Sequence, residues 1–354
     1  MLTRARTGDE LAFRELTDPY RRELEVHCYR LLGSLTDAED MLQETMLAAW
    51  RGLGGFEERA SLRAWLYRIA TNQCLNELRY HGRRIPVEPV PPFEPPEPTL
   101  RGEITWLEPY PEVQDMAQGP EARYDAAESI ELAFVCALQR LPPRQAAALI
   151  LRDVLGFSTD EVAVMLGSGP TAVKGLLQRA RISLNQHRGV GRAPRPAPET
   201  ERDIAQRFAD AYLAGDVDGL VALLTDDAWL CMPPAPHEYH GTAAIRSFLR
   251  ASFRYRGESP VYLMPVRVNG QVAFGSYMGG TEETGDTSRT GDAAQPIALP
   301  SGLLVLTMTG DRISVITRFH VGGILYPRFG LPEALLSTSL PAVLVSPPGT
   351  GAVR

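Results

Sequence analysis

The sequence predicts a multidomain chain in which two all-α domains precede one α+β domain. Three observations carry this. Apolar residues recur at helical spacing through residues 8–84 and again through 127–188. Ten prolines between 85 and 126 separate those stretches, at a density no helix survives. Beyond residue 199, helix patterns lead into β-type runs that flank Asn269-Gly270 and Gly310-Asp311, which are hairpin signals. Helices first and a sheet afterwards argue α+β for that last part. The boundaries read as a domain 1–84, a linker 85–126, a domain 127–188, a linker 189–198, a domain 199–332 and a tail 333–354, within what 354 residues allow.

In the first domain, residues 8–33 form a helix carrying Leu11, Phe13 and Leu16, then Leu24, Cys28, Leu31 and Leu32. Pro19 is expected to interrupt it or to start a second turn, and Gly33 to cap its end. Thr36 and Glu39 have T-x-x-E spacing and are expected to open the next helix as a capping box. That helix has an apolar face of Leu42, Met46, Ala49, Trp50 and Leu53, while Asp37, Asp40, Gln43 and Glu44 line an acidic face. The Gly-rich run from Gly52 ends it. Ser61 caps a further helix with Leu62, Trp65, Leu66 and Ile69 as the expected buried stripe. Asn72, Asn76, Arg79 and Arg83 follow at i, i+4, i+7 and i+11, a polar and basic face suited to bases and phosphates. Taken alone, the pattern also fits an ordinary helical bundle with a solvated acidic face.

The run DAED-x-LQE-x-x-x-x-x-W, followed by ASLRAWLYRIATNQCLNELR, resembles region 2 of bacterial sigma factors of the extracytoplasmic-function (ECF) type over roughly residues 8–82. The resemblance implies that the acidic helix docks on the clamp of core RNA polymerase through Asp37, Glu39, Asp40, Gln43, Glu44 and Trp50. It also implies that the second helix and the loop before it open and read the −10 promoter element. Phe56, Arg59, Ser61, Trp65, Asn72, Asn76, Arg79 and Arg83 are the expected DNA-binding residues, with the Phe56–Trp65 loop as the platform for an unstacked base.

The linker is acidic as well as Pro-rich and reads as extended chain. Trp106-Leu107-Glu108-Pro109-Tyr110-Pro111 resembles the linker motif of a sigma subgroup that carries an extra C-terminal domain. Its aromatics predict docking, either on that domain or on region 2. Residues 127–188 read as four helices. The first carries Ile130, Phe134, Ala137 and Leu138; the second starts at Pro142-Pro143, with proline in the tolerated first turn. Ser158-Thr159-Asp160-Glu161 is a capping box for a short third helix. Gly167-Ser168-Gly169 makes a turn, and Pro170 starts the fourth, the layout of a helix-turn-helix. On that helix Val173, Leu177, Ala180 and Leu184 should be core, and Thr171, Lys174, Gln178 and Arg181 should face the major groove. The block LPPRQAAALILRDVLGFSTDEVAVMLG…AVKGLLQRAR resembles sigma region 4, which implies reading of the −35 element by Ser168, Thr171, Lys174, Gln178, Arg179 and Arg181. Gly169 and Leu176 depart from the family pattern, which puts promoter preference outside the common one.

In the third domain, Thr200–Ala214 is an amphipathic helix with Ile204, Phe208, Ala211 and Tyr212 inward, and Val217–Leu224 is a second short one. A strand over Ala228–Met232, a helix from Gly241 to Phe253, and two hairpins of a long antiparallel sheet follow. The polar, Gly-rich stretch 279–300 reads as an insertion. LTDDAWLCMPP…YHGTAAIRSFL with DRISVITRFH resembles the SnoaL-like, or NTF2-like, cone fold of polyketide cyclases and ketosteroid isomerases. Ketosteroid isomerases carry a general-base Asp where this chain has Met232, and a thioether accepts no proton in catalysis. Trp229, Met232, Tyr262, Phe319 and His320 either line a pocket for a small apolar ligand or fill a core. His320 and Asp227 are the acid–base candidates.

A net charge of −7 excludes a bulk-basic nucleic-acid binder, so DNA contacts must come from local patches. Lys174 is the one lysine among 36 basic residues, a bias of GC-rich coding. Cys28, Cys74, Cys136 and Cys231 form no C-x-x-C pair and read as buried thiols; no cofactor or metal is expected. No signal-peptide pattern and no apolar run near 18 residues are present, so the expectation is a cytoplasmic protein without a membrane partner. The resulting expectation is a non-enzymatic alternative sigma factor that binds core polymerase and promoter DNA, with the SnoaL-like domain as a built-in regulator. Whether a separate anti-sigma factor acts on it is left open. The rivals are a DNA-binding module fused to a cyclase- or isomerase-type enzyme, and a plain helix-turn-helix repressor.

Overall fold

The computed structural model describes residues 1–80, 93–101, 107–111, 131–187, 196–233, 235, 237–279, 296–320 and 323–336. Expectations for Arg83, Trp106, residues 280–295 and the tail from 337 fall outside them. The chain divides into two compact units, Met1–Ile85 with Thr105–Gly191, and Pro86–Ile104 with Arg192–Arg354. The linker is thus shared between the units.

In the first unit, a short α1 (Leu2–Arg6) precedes α2 (Glu10–Leu32). Asp9 caps α2 by accepting from Ala12 N at 3.0 Å, and Gly33 ends it in the left-handed region at φ 73°. Pro19 does not interrupt α2. Its missing N–H removes one ladder bond, and the helix is held through it by the buried face of Leu24, Val26, Cys28, Tyr29, Leu31 and Leu32. The next helix, α3 (Leu35–Gly52), begins one residue before Thr36, so the expected Thr36–Glu39 box does not form. Ser34 is the N-cap and accepts from Asp37 N at 3.1 Å. The first-turn N–H groups of Leu35 and Thr36 donate instead to Glu108 Oε2, at 2.8 and 3.2 Å. Leu42, Met46, Ala49 and Leu53 are buried as expected.

Ser61 caps α4 (Leu62–Tyr80) by accepting from Ala64 N at 3.1 Å. The buried stripe of α4 is rotated from the expected one. Ala64, Leu66, Tyr67, Ala70, Thr71 and Cys74 are buried, whereas Leu62, Trp65 and Ile69 are only partly so. The rotation follows from distant partners for the polar members of the stripe. Thr71 Oγ1 donates to Tyr67 O at 2.7 Å and faces His27 Nε2 at 2.8 Å; Tyr67 Oη reaches Glu23 O at 3.4 Å.

The second helical part contains α5 (Leu132–Gln139), α6 (Pro143–Leu149, continued by a π turn, Ile150–Val154), α7 (Thr159–Met165) and α8 (Pro170–His187). On α5 the buried residues are Leu132, Val135, Leu138 and Gln139, one step round from the expected Phe134 and Ala137. Gln139 sets this face, because its Nε2 donates to the carbonyls of Arg30 and Leu31 at the end of α2. Both bonds of the Ser158–Glu161 capping box are present. Phe157 lies 5.3 Å from the Tyr67 ring, with the Arg63 guanidinium 4.8 Å over it, and so joins α4 to the helix-turn-helix.

The linker segment Leu107–Pro111 docks on α2 and α3. Glu108 N donates to Gly33 O at 2.8 Å, Tyr29 Oη to Glu108 O at 2.8 Å, and Tyr110 Oη to Glu25 Oε1 at 2.9 Å. Tyr110 is fully buried, and that burial, with Glu25 beside it, raises its pKa and keeps it a donor. Cys28 and Cys74 are buried side by side between α2 and α4, whereas Cys136 and Cys231 are only partly buried.

The second unit holds α9 (Pro198–Ala214), α10 (Val217–Ala222), β2 (Leu224–Cys231), β3 (His237–His240), α11 (Thr242–Arg256), β4 (Val261–Val268), β5 (Gln271–Met278), β6 (Pro296–Thr309), β7 (Arg312–Phe319) and β8 (Leu335–Leu336). Linker residues Leu100–Arg101 add a further edge strand, β1, and the order is β1-β3-β2-β7-β6-β5-β4. Asn269 and Gly270 both have positive φ, 53° and 68°, as a type I′ turn requires. The sheet is mixed, not all antiparallel: β2 runs parallel to β7, with Leu230 opposite Ile316, because α11 and the β4–β7 meander lie between them in sequence. The helices cover one face, where Phe208, Phe248, Phe274, Leu304 and Ile316 form the core. The run Leu303 to Leu306 is buried throughout, the mark of a strand covered on both faces. The second cover is the 3-10 segment Gly323–Phe329 and the residues after it. Tyr326 Oη lies 2.8 Å from Ser276 O and accepts from Gly302 N at 3.0 Å, and Leu331 fills the notch left by Gly275.

Candidate functional site

The expected polymerase-docking residues sit on α3. Asp40, Gln43 and Glu44 are exposed; Asp37, Glu39 and Trp50 are partly buried, Trp50 edge-on to Phe13 at 5.0 Å. The same solvent-facing stripe contains Leu47, 46% exposed, at i+3 and i+4 from Glu44 and Gln43. Leu47 thus adds an exposed apolar side chain beside the polar residues Gln43 and Glu44. Its signal in the sequence was a leucine on the polar side of the helix, which the reading by acidic residues passed over.

The loop before α4 is built differently from expectation. Phe56 is buried and packs its ring on Trp65 at 5.0 Å, so it props Trp65 and does not itself face solvent. The Arg6 guanidinium donates to Phe56 O and pairs with Glu58 at 3.1 Å. Arg59 is exposed beside Glu57, and Ser61 is engaged as the α4 cap. Asn72, Asn76 and Arg79 are exposed along one side of α4. That side is distinct from the buried Tyr67–Thr71 stripe.

On α8, Val173, Leu177, Ala180 and Leu184 are buried, while Thr171, Lys174, Gln178, Arg179 and Arg181 are exposed, as the periodicity predicts. Lys174, Gln178 and Arg181 rim a shallow depression with Arg152, Thr159 and Ile182. Arg152 was not foreseen; it comes from the π turn, where the 3.6-residue count fails. Arg181 is held in a two-pronged bond by Asp153, at 2.7 and 2.9 Å, which raises its pKa. The Ser168 hydroxyl is buried without a hydrogen-bond partner.

Of the five pocket candidates of the third domain, Met232 lies on the other side of the sheet from Trp229, Tyr262 and Phe319. Met232 belongs to the helix-side core. Trp229 points to the opposite face from Leu230 and stacks on His240 at 4.3 Å. Tyr262 pairs with Tyr277 at the β4–β5 ladder, and Phe319 is buried opposite Leu303. Burial and the Arg318 charge push the His320 pKa down to about 4, leaving it neutral at neutral pH. Among the described residues no cluster of three His, Cys, Asp or Glu is placed to hold a metal, and no helix is long and apolar enough to cross a membrane.

Two helical blocks with a docked linker segment between them in sequence, polar stripes on α3, α4 and α8, and an α+β domain following in the chain define a sigma-type transcription initiation subunit. Three family models match in that order: Sigma-70 region 2 over residues 16–84, Sigma-70 region 4 over 131–184 and a SnoaL-like domain over 205–316. The chain is 42% identical over 335 residues to the ECF RNA polymerase sigma factor SigG of Mycobacterium tuberculosis (strain H37Rv), covering 93% of this chain and 86% of that one. It is 36% identical to SigM of the same strain over 179 residues, 50% of this chain and 77% of SigM. The crystal structure of the M. tuberculosis ECF sigma factor SigJ shares the fold, with a TM-score of 0.60 at 23% identity over 90% of this chain and 99% of that one. The chain belongs to the ECF sigma factors of RNA polymerase, in the form that carries a SnoaL-like C-terminal domain.

Proposed function

We propose that the α3 stripe of Asp40, Gln43, Glu44 and Leu47 docks on core RNA polymerase, and that Trp65 with Asn72, Asn76 and Arg79 reads the −10 element. Thr171, Lys174, Gln178 and Arg179 read the −35 element from α8. Asp37, Glu39 and Trp50 support the α3 surface, as Phe56 and Ser61 support the −10 loop. What supports the reading is the separation of faces: each stripe is exposed, save the half-buried Trp65, while the other side of its helix is core. The protein acts in the cytoplasm, where polymerase and promoter DNA are. The SnoaL-like domain is the built-in regulator. Its helix side buries Phe208, Phe248, Phe274 and Met232 in one cluster, with no acid–base pair among these four.

Leu47→Asp tests the docking surface. The side chain is exposed, so the melting temperature should stay within about 1 °C, while affinity for core polymerase falls at least tenfold, about 1.4 kcal/mol. An unchanged core affinity would remove α3 from the interface.

A further inference from the structure

The second unit contains a binding seat that the sigma function does not account for. Residues 93–101, FEPPEPTLR, precede the described part of the docked linker motif, yet they lie on the C-terminal domain. Three kinds of contact hold them. Leu100 and Arg101 extend the sheet by pairing antiparallel with Glu238 and His237 of β3. Thr99 Oγ1 accepts from His240 N at 3.0 Å, and Pro96 O accepts from Tyr239 Oη at 2.8 Å. Phe93 sits 5.7 Å from both the Phe248 and the Tyr255 rings, and Phe248 in turn lies 4.8 Å from Tyr239.

The chemistry of the segment matches the seat. Pro95, Pro96 and Pro98 have no N–H, so Glu97 is the one donor between Pro95 and Pro98 and this part cannot extend a regular ladder. The seat meets it with a hydroxyl donor on a buried tyrosine. Burial raises the Tyr239 pKa to about 12, so the donor persists across the physiological range. From Thr99 onward every residue carries an N–H, and the pairing with β3 begins at Leu100. Prolines also fix an extended backbone before docking, which lowers the ordering entropy. Aromatic anchor, proline carbonyl and strand addition are the elements of peptide recognition at a sheet edge.

We propose that the β3 edge, with the Tyr239–Phe248–Tyr255 cleft, is a recognition site for an extended, proline-rich peptide carrying one aromatic anchor, and that residues 93–101 occupy it in cis. The site takes its ligand from the same chain, so binding in cis is intramolecular and competes with any peptide added in trans. A peptide added in trans therefore reaches the seat when the cis segment is removed.

The test uses the full chain in two forms: unaltered, and with residues 93–101 replaced by nine Gly and Ser residues. A fluorescein-labelled peptide of sequence FEPPEPTLR is titrated into each and followed by anisotropy, without polymerase or DNA, so the result does not depend on the transcriptional reading. The replaced chain should bind the peptide saturably and at least tenfold more tightly than the unaltered chain. A peptide with alanine in place of phenylalanine should lose at least tenfold. In the unaltered chain, Tyr239→Phe deletes one hydroxyl and leaves the ring, so folding is preserved; amide exchange at Leu100 and Arg101 should rise while that of β5 and β6 is unchanged. Equal binding to both chains, equal binding of the phenylalanine-free peptide, no binding to the replaced chain, or unchanged exchange in Tyr239→Phe would each overturn the proposal.

Discussion

Glu108→Ala isolates the contact by which the linker holds the polymerase-facing helix. The Glu108 carboxylate accepts from Leu35 N at 2.8 Å, Thr36 N at 3.2 Å and Ser34 Oγ at 3.1 Å. Ser34 and Leu35 are 0% and 3% exposed, so water cannot freely replace the lost acceptor. Removing an N-terminal cap costs about 1 kcal/mol, and removing the negative charge from a helix N-terminus about 0.3–1 kcal/mol more. A buried donor left without a partner adds about 1 kcal/mol. The sum is roughly 2–3 kcal/mol. For a unit of this size each kcal/mol moves the midpoint by about 2–4 °C, so the helical unit should melt roughly 4–12 °C lower. Glu108→Gln keeps an acceptor oxygen but not the charge, and should lose about half as much. The assay is calorimetry of the full chain, reading the transition of the helical unit. A Glu108→Ala midpoint within 1 °C of the unaltered protein would refute the reasoning, because it would mean that Leu107–Pro111 is not seated on α2 and α3 in solution.

Two further predictions concern charge. His27 is fully buried; Thr71 Oγ1 spends its proton on Tyr67 O, so His27 Nε2 must donate to Thr71 while Nδ1 has no partner. Burial, with Arg30 and Arg63 nearby, pushes its pKa from 6.5 down to about 3. The unfolded chain therefore takes up a proton below pH 6.5 that the folded chain refuses. Stability from this residue is complete above pH 6.5 and declines as pH falls toward 3, at about 1.4 kcal/mol per unit. Denaturant unfolding at pH 7 and pH 5 should show His27→Gln losing about 2 kcal/mol less than the unaltered chain over that interval; equal losses contradict the assignment. Asp153→Asn releases Arg181 from its ion pair. Affinity for a duplex carrying the −35 element should rise, and the salt slope between 50 and 200 mM should steepen by about 0.9, one more phosphate contact; an unchanged slope means Arg181 does not reach DNA.

Features fixed by a few neighbouring residues were legible in the sequence. The Ser158–Glu161 box, the Asn269-Gly270 turn and the core stripe of α8 depend on residues at most eleven positions apart, and all three are present. What the sequence hid depends on partners far along the chain. The cap of α3 comes partly from Glu108, 73 residues away, which no local T-x-x-E pattern reveals. The α4 stripe turned toward Tyr67 and Thr71 because Glu23 and His27 of α2 satisfy them, so polar residues outranked Trp65 and Ile69 in burial. Arg181 lies on the exposed side of α8 that the periodicity predicts, but its acidic partner lies 28 residues before it. Of the five residues left open between pocket and core, parity separates Met232: neighbouring strand positions point to opposite faces, so Trp229 and Met232 could not share a cavity across one continuous strand.

The most direct test is run-off transcription with purified core polymerase, on promoters recovered from the host genome by binding, comparing the full chain with a version ending at His187. Sigma function in residues 1–187 under control of the SnoaL-like domain predicts specific initiation by both chains at the same start sites, with different yields. Initiation by neither chain, together with no binding to core polymerase, would contradict the sigma reading of this molecule, and equal yields would contradict a regulatory third domain.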